Sequence, residues 1–218
     1  MSSITSTIKW NLNAQEIESE SFRIIESECS QYASMPPAEW KVARRLIHTT
    51  ADIDIVKTLE FHNHPIEAGL EALSKRAPIY CDSNMIRAGI SIDRLRSVND
   101  QYSKDDIYCY IQDPDIIAKA KASGRTRAIS SAEKAKSLLN GSIVLIGNAP
   151  LALARIAQYI LEENIRPALI IGMPVGFVNV VESKQLLAQT DIPSIILSGR
   201  RGGSPLAVTS LHAIIESH

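Results

Sequence analysis

The sequence predicts an α/β fold: an open, mainly parallel sheet covered by helices on both faces, with a helical elaboration at its N-terminal end. Three observations carry this. From Pro78 onward, short apolar runs alternate with amphipathic segments of helical period. The runs are apolar throughout, as strands buried on both faces are. Aromatic residues make up only 5% of the chain, while Ile, Leu, Val and Ala are plentiful, which suits a helix-covered parallel sheet.

The elements follow in order. Between Ala14 and Tyr32, Ile17, Ile24, Ile25 and Cys29 recur near helical spacing with acids between them. Pro36-Pro37 breaks the chain and seats Pro37 in a first helical turn. The segment after it offers Trp40, Ala43, Leu46 and Ile47 as a buried stripe. A further helix is expected from Pro65 to Lys75, burying Ile66, Leu70 and Leu73. Strands are expected at Pro78–Cys81, Asp106–Ile111, Ser142–Gly147, Ala168–Gly172 and Ser194–Gly199. Helices are expected at Ser130–Leu139, Leu151–Glu162, Val180–Gln189 and Leu206–Ile215. There is no internal repeat and no low-complexity linker. Residues 1–218 are therefore read as one domain, mostly helical over 1–76 and parallel α/β over 77–218.

Composition narrows the function classes. With 218 residues and a formal net charge of −1, the chain has no global field to hold a polyanion, so no nucleic acid is expected as partner. Its three cysteines, Cys29, Cys81 and Cys109, form no CxxC pair. Neither a zinc site nor a disulfide framework is indicated, no metal is expected, and a reducing cytoplasm fits best. The first twenty residues have one Lys, several acids and no apolar run, so no signal peptide is expected. The longest uncharged run, Pro167 to Val181, is interrupted by Pro and Gly and is shorter than the ~20 apolar residues of a membrane span. No membrane partner is expected.

In open parallel sheets, ligands bind beyond the carboxyl ends of the strands. Those ends carry Asp82-Ser83-Asn84-Met85, Gly147-Asn148-Ala149-Pro150, Gly172-Met173-Pro174-Val175-Gly176-Phe177 and Gly199-Arg200-Arg201-Gly202-Gly203-Ser204. Glycine admits close backbone approach to a ligand, the helix starts offer N–H groups to anions, and Arg200 and Arg201 add charge. Ordinary βα turns need the same residues, so no single loop decides the matter. No GxxxxGK[ST] is present, and no GxGxxG follows the first strand. His62-Asn63-His64 with Glu67 lacks a distant ligand cluster and reads as a solvated loop. His212 and His218 are expected at the surface. His48 stands apart, because Arg45 lies three positions before it and Arg44 four, one helical turn away. That arrangement suits anchoring a carboxylated ligand while passing it a proton. A packed helix-end histidine beside solvated arginines would read the same way.

One family shares these motifs in this order. Ser21-Phe22-Arg23-Ile24-Ile25, Arg45-Leu46-Ile47-His48, Ile79-Tyr80-Cys81-Asp82-Ser83-Asn84-Met85, Gly124-Arg125-Thr126-Arg127, Ile146-Gly147-Asn148-Ala149-Pro150, Gly172 to Phe177 with Glu182-Ser183-Lys184, and the run from Gly199 to Ser204 resemble the precorrin-8X methylmutase (precorrin isomerase) family of corrin biosynthesis. The resemblance runs from about Gln15 into the C-terminal helix. It implies migration of a methyl group from C-11 to C-12 of a macrocycle, precorrin-8X or its cobalt form, giving hydrogenobyrinate or cobyrinate in cobalamin biosynthesis. The step is similar to an acid-assisted [1,5]-sigmatropic shift and implies no cofactor. The family's proton donor/acceptor maps onto His48, and its substrate-binding serine and arginine onto Ser21 and Arg45. The wider binding set expected on the rim is Asp82, Met85, Arg125, Thr126, Gly147, Asn148, Gly172, Gly202, Gly203 and Ser204. The family's dimeric assembly implies a homodimer. Many members carry Gly where Ala51 stands, which predicts a different turn leaving the His48 helix. Two other readings stay open on the residues: a nucleotide-dependent α/β enzyme, and a non-catalytic corrinoid-binding protein.

Overall fold

The computed structural model describes residues 4–218. Its single sheet has six strands: β1 (Leu59–His62), β2 (Ile79–Cys81), β3 (Ile107–Tyr108), β4 (Ile143–Ile146), β5 (Leu169–Gly172) and β6 (Ser194–Leu197). They lie in the order β1-β6-β5-β4-β2-β3. β2 through β6 are parallel, and β1 alone runs antiparallel along β6, with Leu59 opposite Leu197 and His62 opposite Ser194. The five expected strands are all present. β1 was not expected: its residues fall inside the part read as helical, and its Leu-Glu-Phe-His pattern is only half buried. The expected six-residue strand at Asp106 shrinks to two paired residues: Asp106 is taken up by a capping box with Ser103 at its start, and pairing with β2 ends at Tyr108.

Strand parity sorts the core into two layers. Ile79, Cys81, Ile143, Leu145, Leu169, Ile171, Ile195 and Leu197 face one side. Tyr80, Val144, Ile146, Ile170 and Ile196 face the other. The first layer is covered by α1 (Ala14–Glu28), α2 (Pro37–Thr50), α3 (Pro65–Ser74), α4 (Asn84–Gly89), α5 (Ile92–Val98) and α10 (Ser204–Ile215). The second is covered by α7 (Arg127–Ala135), α8 (Pro150–Glu163) and α9 (Val180–Ala188). A remaining helix, α6 (Pro114–Ser123), ends on Gly124 in the left-handed region, φ 66°. The N-terminal helical part is thus half of one layer, tied to the sheet by β1.

Helix α1 differs from its expected face. It begins in a capping box between Asn13 and Glu16 and stops at Glu28, with a separate 3-10 turn at Ser30–Tyr32. Ile25 and Cys29 enter the core, whereas Ile17 and Ile24 stay exposed. α1 meets α2 along a narrow edge, so only part of its apolar stripe is covered. On α2, Val42, Ala43, Leu46 and Ile47 are buried. Trp40 is half-buried and stacks on Tyr32 with ring centroids 6.4 Å apart.

Candidate active site

Ser21 and His48 come from different helices and line one cavity of about 360 Å³, with Ile24, Ile25 and Glu28 of α1, Ile47 and Ala51 at the end of α2, and Ile53 beyond it. His48 is exposed because the buried stripe of α2 passes through its neighbours Leu46 and Ile47. Its ring meets the edge of Phe22, with centroids 5.4 Å apart and planes at 66°. The same Phe22 ring carries the guanidinium of Arg44 at 4.1 Å and that of Arg45 at 4.9 Å. One aromatic ring thus gathers the histidine and both arginines, a role the sequence reading did not give Phe22. Ser21 donates its hydroxyl to the Ile17 carbonyl at 2.7 Å, leaving its oxygen free to accept from a ligand.

The turn after His48 is the family's expected departure, and it keeps a glycine-like shape. Ala51 adopts φ 52°, ψ 28°, and its N–H bonds the Ile47 carbonyl at 2.7 Å. The left-handed cap ends α2 where glycine would normally do so, at a steric cost to the alanine.

Arg45 is not waiting for a ligand. It donates to Glu18 at 2.5 Å and to Glu216 at 2.7 Å, and Glu216 also pairs with Arg94. Burial disfavours its charge, but the two carboxylates outweigh that and hold its pKa above the usual arginine value. Arg44 pairs with Glu26. The alternative of solvated arginines beside His48 is therefore replaced by an ion-pair cluster joining α1, α2 and α10.

At the strand ends, most of the expected contacts serve the fold. Asp82 is 2% exposed, and its carboxylate accepts from the N–H groups of Gly147, Asn148 and Ala149 at 3.1, 2.8 and 2.6 Å. Burial pushes its pKa up, and these three donors pull it back. Strand order reverses between β2 and β4, which is where a ligand crevice is expected, yet Asp82 already fills the anion position at the start of α8. In the folded chain it braces the turn between β4 and α8 from within. At Gly147 a Cβ would lie 2.6 Å from Ser204 Cα, so its smallness lets two turns touch. A Cβ on Gly172 would meet Leu187 of α9 at 2.8 Å, and one on Gly202 would meet the Met173 carbonyl oxygen at 2.2 Å. Gly203 donates to Met173 O at 2.8 Å with φ 139°. Ser204 is buried and shares a 2.9 Å hydroxyl contact with Ser83.

The remaining expected residues are more open. Met85 and Asn148 are exposed on the rim. Arg125 pairs with Glu133 at 2.9 Å, and Thr126 caps α7 by accepting from Ile129 N–H; both belong to the α6–α7 connection, away from the His48 cavity. Two histidine readings change. His62 is not in the solvated loop but closes β1 and contacts Glu60 at 3.2 Å, while Asn63 and His64 are exposed in a bend with left-handed conformations. His212 is half-buried, and its Nε2 accepts the Ser91 N–H at 3.1 Å.

Lys184, at the end of the Glu182-Ser183-Lys184 motif, carries no role in the sequence reading. It is 2% exposed and donates to the carbonyls of Gly199 at 2.9 Å and Arg201 at 2.6 Å. Burial lowers its pKa to about 8, with Glu60 opposing. Its place was readable: Val180, Lys184 and Leu187 share one helical stripe.

With this geometry in view, comparison with known proteins is decisive. The family described as "CbiC: Precorrin-8X methylmutase" matches residues 16–217. The chain belongs to the precorrin-8X methylmutase family. Among the family's members, a cobalt-precorrin-8 methylmutase of Leptospira interrogans is 44% identical over 209 residues, covering 92% of each chain. A precorrin-8X methylmutase of Pseudomonas aeruginosa is 36% identical over 204 residues, covering 93% of this chain and 95% of that one. A solved precorrin-8X methyl mutase from Thermus thermophilus superposes with a TM-score of 0.83 at 41% identity, covering 93% of this chain and 95% of that one.

Proposed function

We propose that the protein moves a methyl group from C-11 to C-12 of precorrin-8X or its cobalt form, as the isomerase step that yields hydrogenobyrinate or cobyrinate. One observation carries the assignment of roles: Ser21 and His48, the positions that match the family's motifs, line the same cavity from two helices. His48 is the proton donor and acceptor. A proton delivered to the macrocycle drains its π-system and eases the shift, and such assistance is typically worth about 10²–10⁴-fold in rate. The rearrangement is intramolecular, so its atoms and electrons balance without a co-reactant. Ser21 offers an acceptor, and Arg45 takes a peripheral carboxylate in exchange for one of its present partners, a charge-assisted bond of the stronger kind.

A homodimer belongs to the same reading. The cavity is small for a macrocycle, so the ring must lie partly outside it, and a second copy would cover the exposed part. Phe177, Val178 and Met85, at 82%, 75% and 65% exposure, give the rim an apolar surface that such a copy would bury. Residues 1–218 act as one unit in this reading, supported by β1 pairing with β6. A cytoplasmic setting is inferred from three unpaired, buried cysteines. No helix among the described residues is long and apolar enough to cross a membrane.

The test separates binding from turnover. His48→Ala should bind hydrogenobyrinate within a few-fold of the parent, read from the absorbance of the complex, and should lose turnover of precorrin-8X. Turnover by this variant at the parent rate would refute the role given to His48.

A further inference from the structure

The loop from Gly199 to Gly203 is pinned on three sides. Beneath it, the Lys184 ammonium draws in the carbonyls of Gly199 and Arg201. Beside it, the loop after β5 is bonded by Gly176 N–H to Arg200 O at 3.2 Å and by Gly203 N–H to Met173 O at 2.8 Å. Outward, the Arg201 side chain reaches Asp52 Oδ2 at 2.6 Å. Asp52 directly follows Ala51, the left-handed cap that ends the His48 helix and lines the His48 cavity. Its other oxygen accepts the Asp54 N–H at 3.0 Å, starting the turn that brings Ile53 to the same cavity. Two charged contacts therefore join the inside of the sheet rim to the last turn of α2.

We propose that Lys184 is a positioning residue for His48, acting through the 199–201 loop and the Arg201–Asp52 pair; this rests on the reading of His48 as proton donor. Ala51 carries backbone strain, since a non-glycine residue resists the left-handed region. Left alone, the end of α2 would relax by fraying, as helix ends do. The Arg201–Asp52 contact is exposed at both ends, with side-chain exposures of 54% and 38%, so by itself it is weak. It gains effect because Lys184 fixes the backbone from which Arg201 reaches: a pre-placed cation loses less freedom in making the pair than a mobile one. The buried lysine thus sets where the arginine stands, the arginine sets Asp52, and Asp52 sets the cap that orients His48. Proton transfer is sensitive to such placement, because an error of about 1 Å at a reacting group costs on the order of 10²-fold.

The experiment reads the histidine directly and then the reaction. In the ligand-free protein, the His48 imidazole signals are assigned in ¹H–¹⁵N spectra by their loss in His48→Ala. They should move in Lys184→Met, Arg201→Gln and Asp52→Asn. They should stay fixed in Lys75→Met, which removes a surface cation just before β2, at the opposite end of the strands. In turnover assays, Lys184→Met should lower kcat about tenfold or more, while hydrogenobyrinate affinity stays within twofold. Arg201→Gln and Asp52→Asn should each lower kcat about threefold, and the double variant should be no worse than either single one. Arg201→Lys should recover most of the loss. Unmoved His48 signals in Asp52→Asn and Arg201→Gln would overturn the proposal, as would additive kcat losses or a loss confined to binding. If Lys184→Met fails to fold, Lys184→Gln takes its place, and unmoved His48 signals in that variant overturn the proposal equally. If the parent protein itself fails to turn over precorrin-8X, the functional reading falls, while the spectra still decide whether the latch orients His48.

Discussion

His212 should make the fold acid-labile in a window set by its own environment. The ring is half-buried on α10 and accepts the Ser91 N–H through Nε2, which requires that nitrogen to be unprotonated. Burial lowers its pKa from 6.5 to about 4, and Arg94 and Arg45 push the same way against Glu216. In the unfolded chain the ring takes a proton near 6.5; in the folded chain it resists until about 4. The stability this site supports is therefore complete above about pH 6.5 and drains away as pH falls towards 4. The full gap corresponds to roughly 3 kcal/mol, and partial solvent access trims it to about 2 kcal/mol. Gln at this position keeps an acceptor for Ser91 but does not titrate, so His212→Gln is the matching control. Urea unfolding of both proteins between pH 7.5 and 4.5 isolates the effect of the ring together with its coupling to Glu216, because the carboxylates and histidines away from it contribute equally to the two curves. The parent should lose about 2 kcal/mol more than the variant over that range. Parallel curves would show that the ring protonates in place, and the argument from its hydrogen bond would be wrong.

Two further outcomes follow from the backbone. Ala51→Gly should raise stability by about 1 kcal/mol, since it removes a Cβ from a left-handed cap at φ 52°; a lower urea midpoint would show that the cap is not strained. Gly147→Ala should lower stability by about 1–3 kcal/mol, because its Cβ would press on the Ser204 backbone at 2.6 Å. A fully stable Gly147→Ala that fails only to bind hydrogenobyrinate would return this glycine to the ligand.

The parallel strands were readable because each is a contiguous apolar run, and only strands covered on both faces carry such runs. β1 hid for the opposite reason. It is an antiparallel edge of four residues with Glu60 and His62 among them, and it sits between two helical patterns that invite the eye to continue the helix. The short helices α4 and α5 announced themselves only by caps, Ser83 and Ser91. Six or seven residues are too few for a helical period to emerge.

The candidate site divides along a similar line. Helical spacing placed Arg45 and His48 on one face, and the structure agrees, because i and i+3 is a local relation. The rim residues depended on what lies opposite each turn, which no local pattern records. A glycine kept small for a ligand and one kept small for Ser204 have the same neighbours in sequence. Charge was the least legible property of all. Arg45 looks like a free anion site until Glu18 and Glu216 arrive from α1 and the chain's far end, 27 and 171 residues away. Their presence has an energetic reason: a half-buried guanidinium without partners would be costly to maintain, and the two carboxylates hold it in place. On the role proposed for Arg45, a polycarboxylate ring must displace one of these partners, and a neutral macrocycle of the same shape would offer nothing in exchange for the pair it would break.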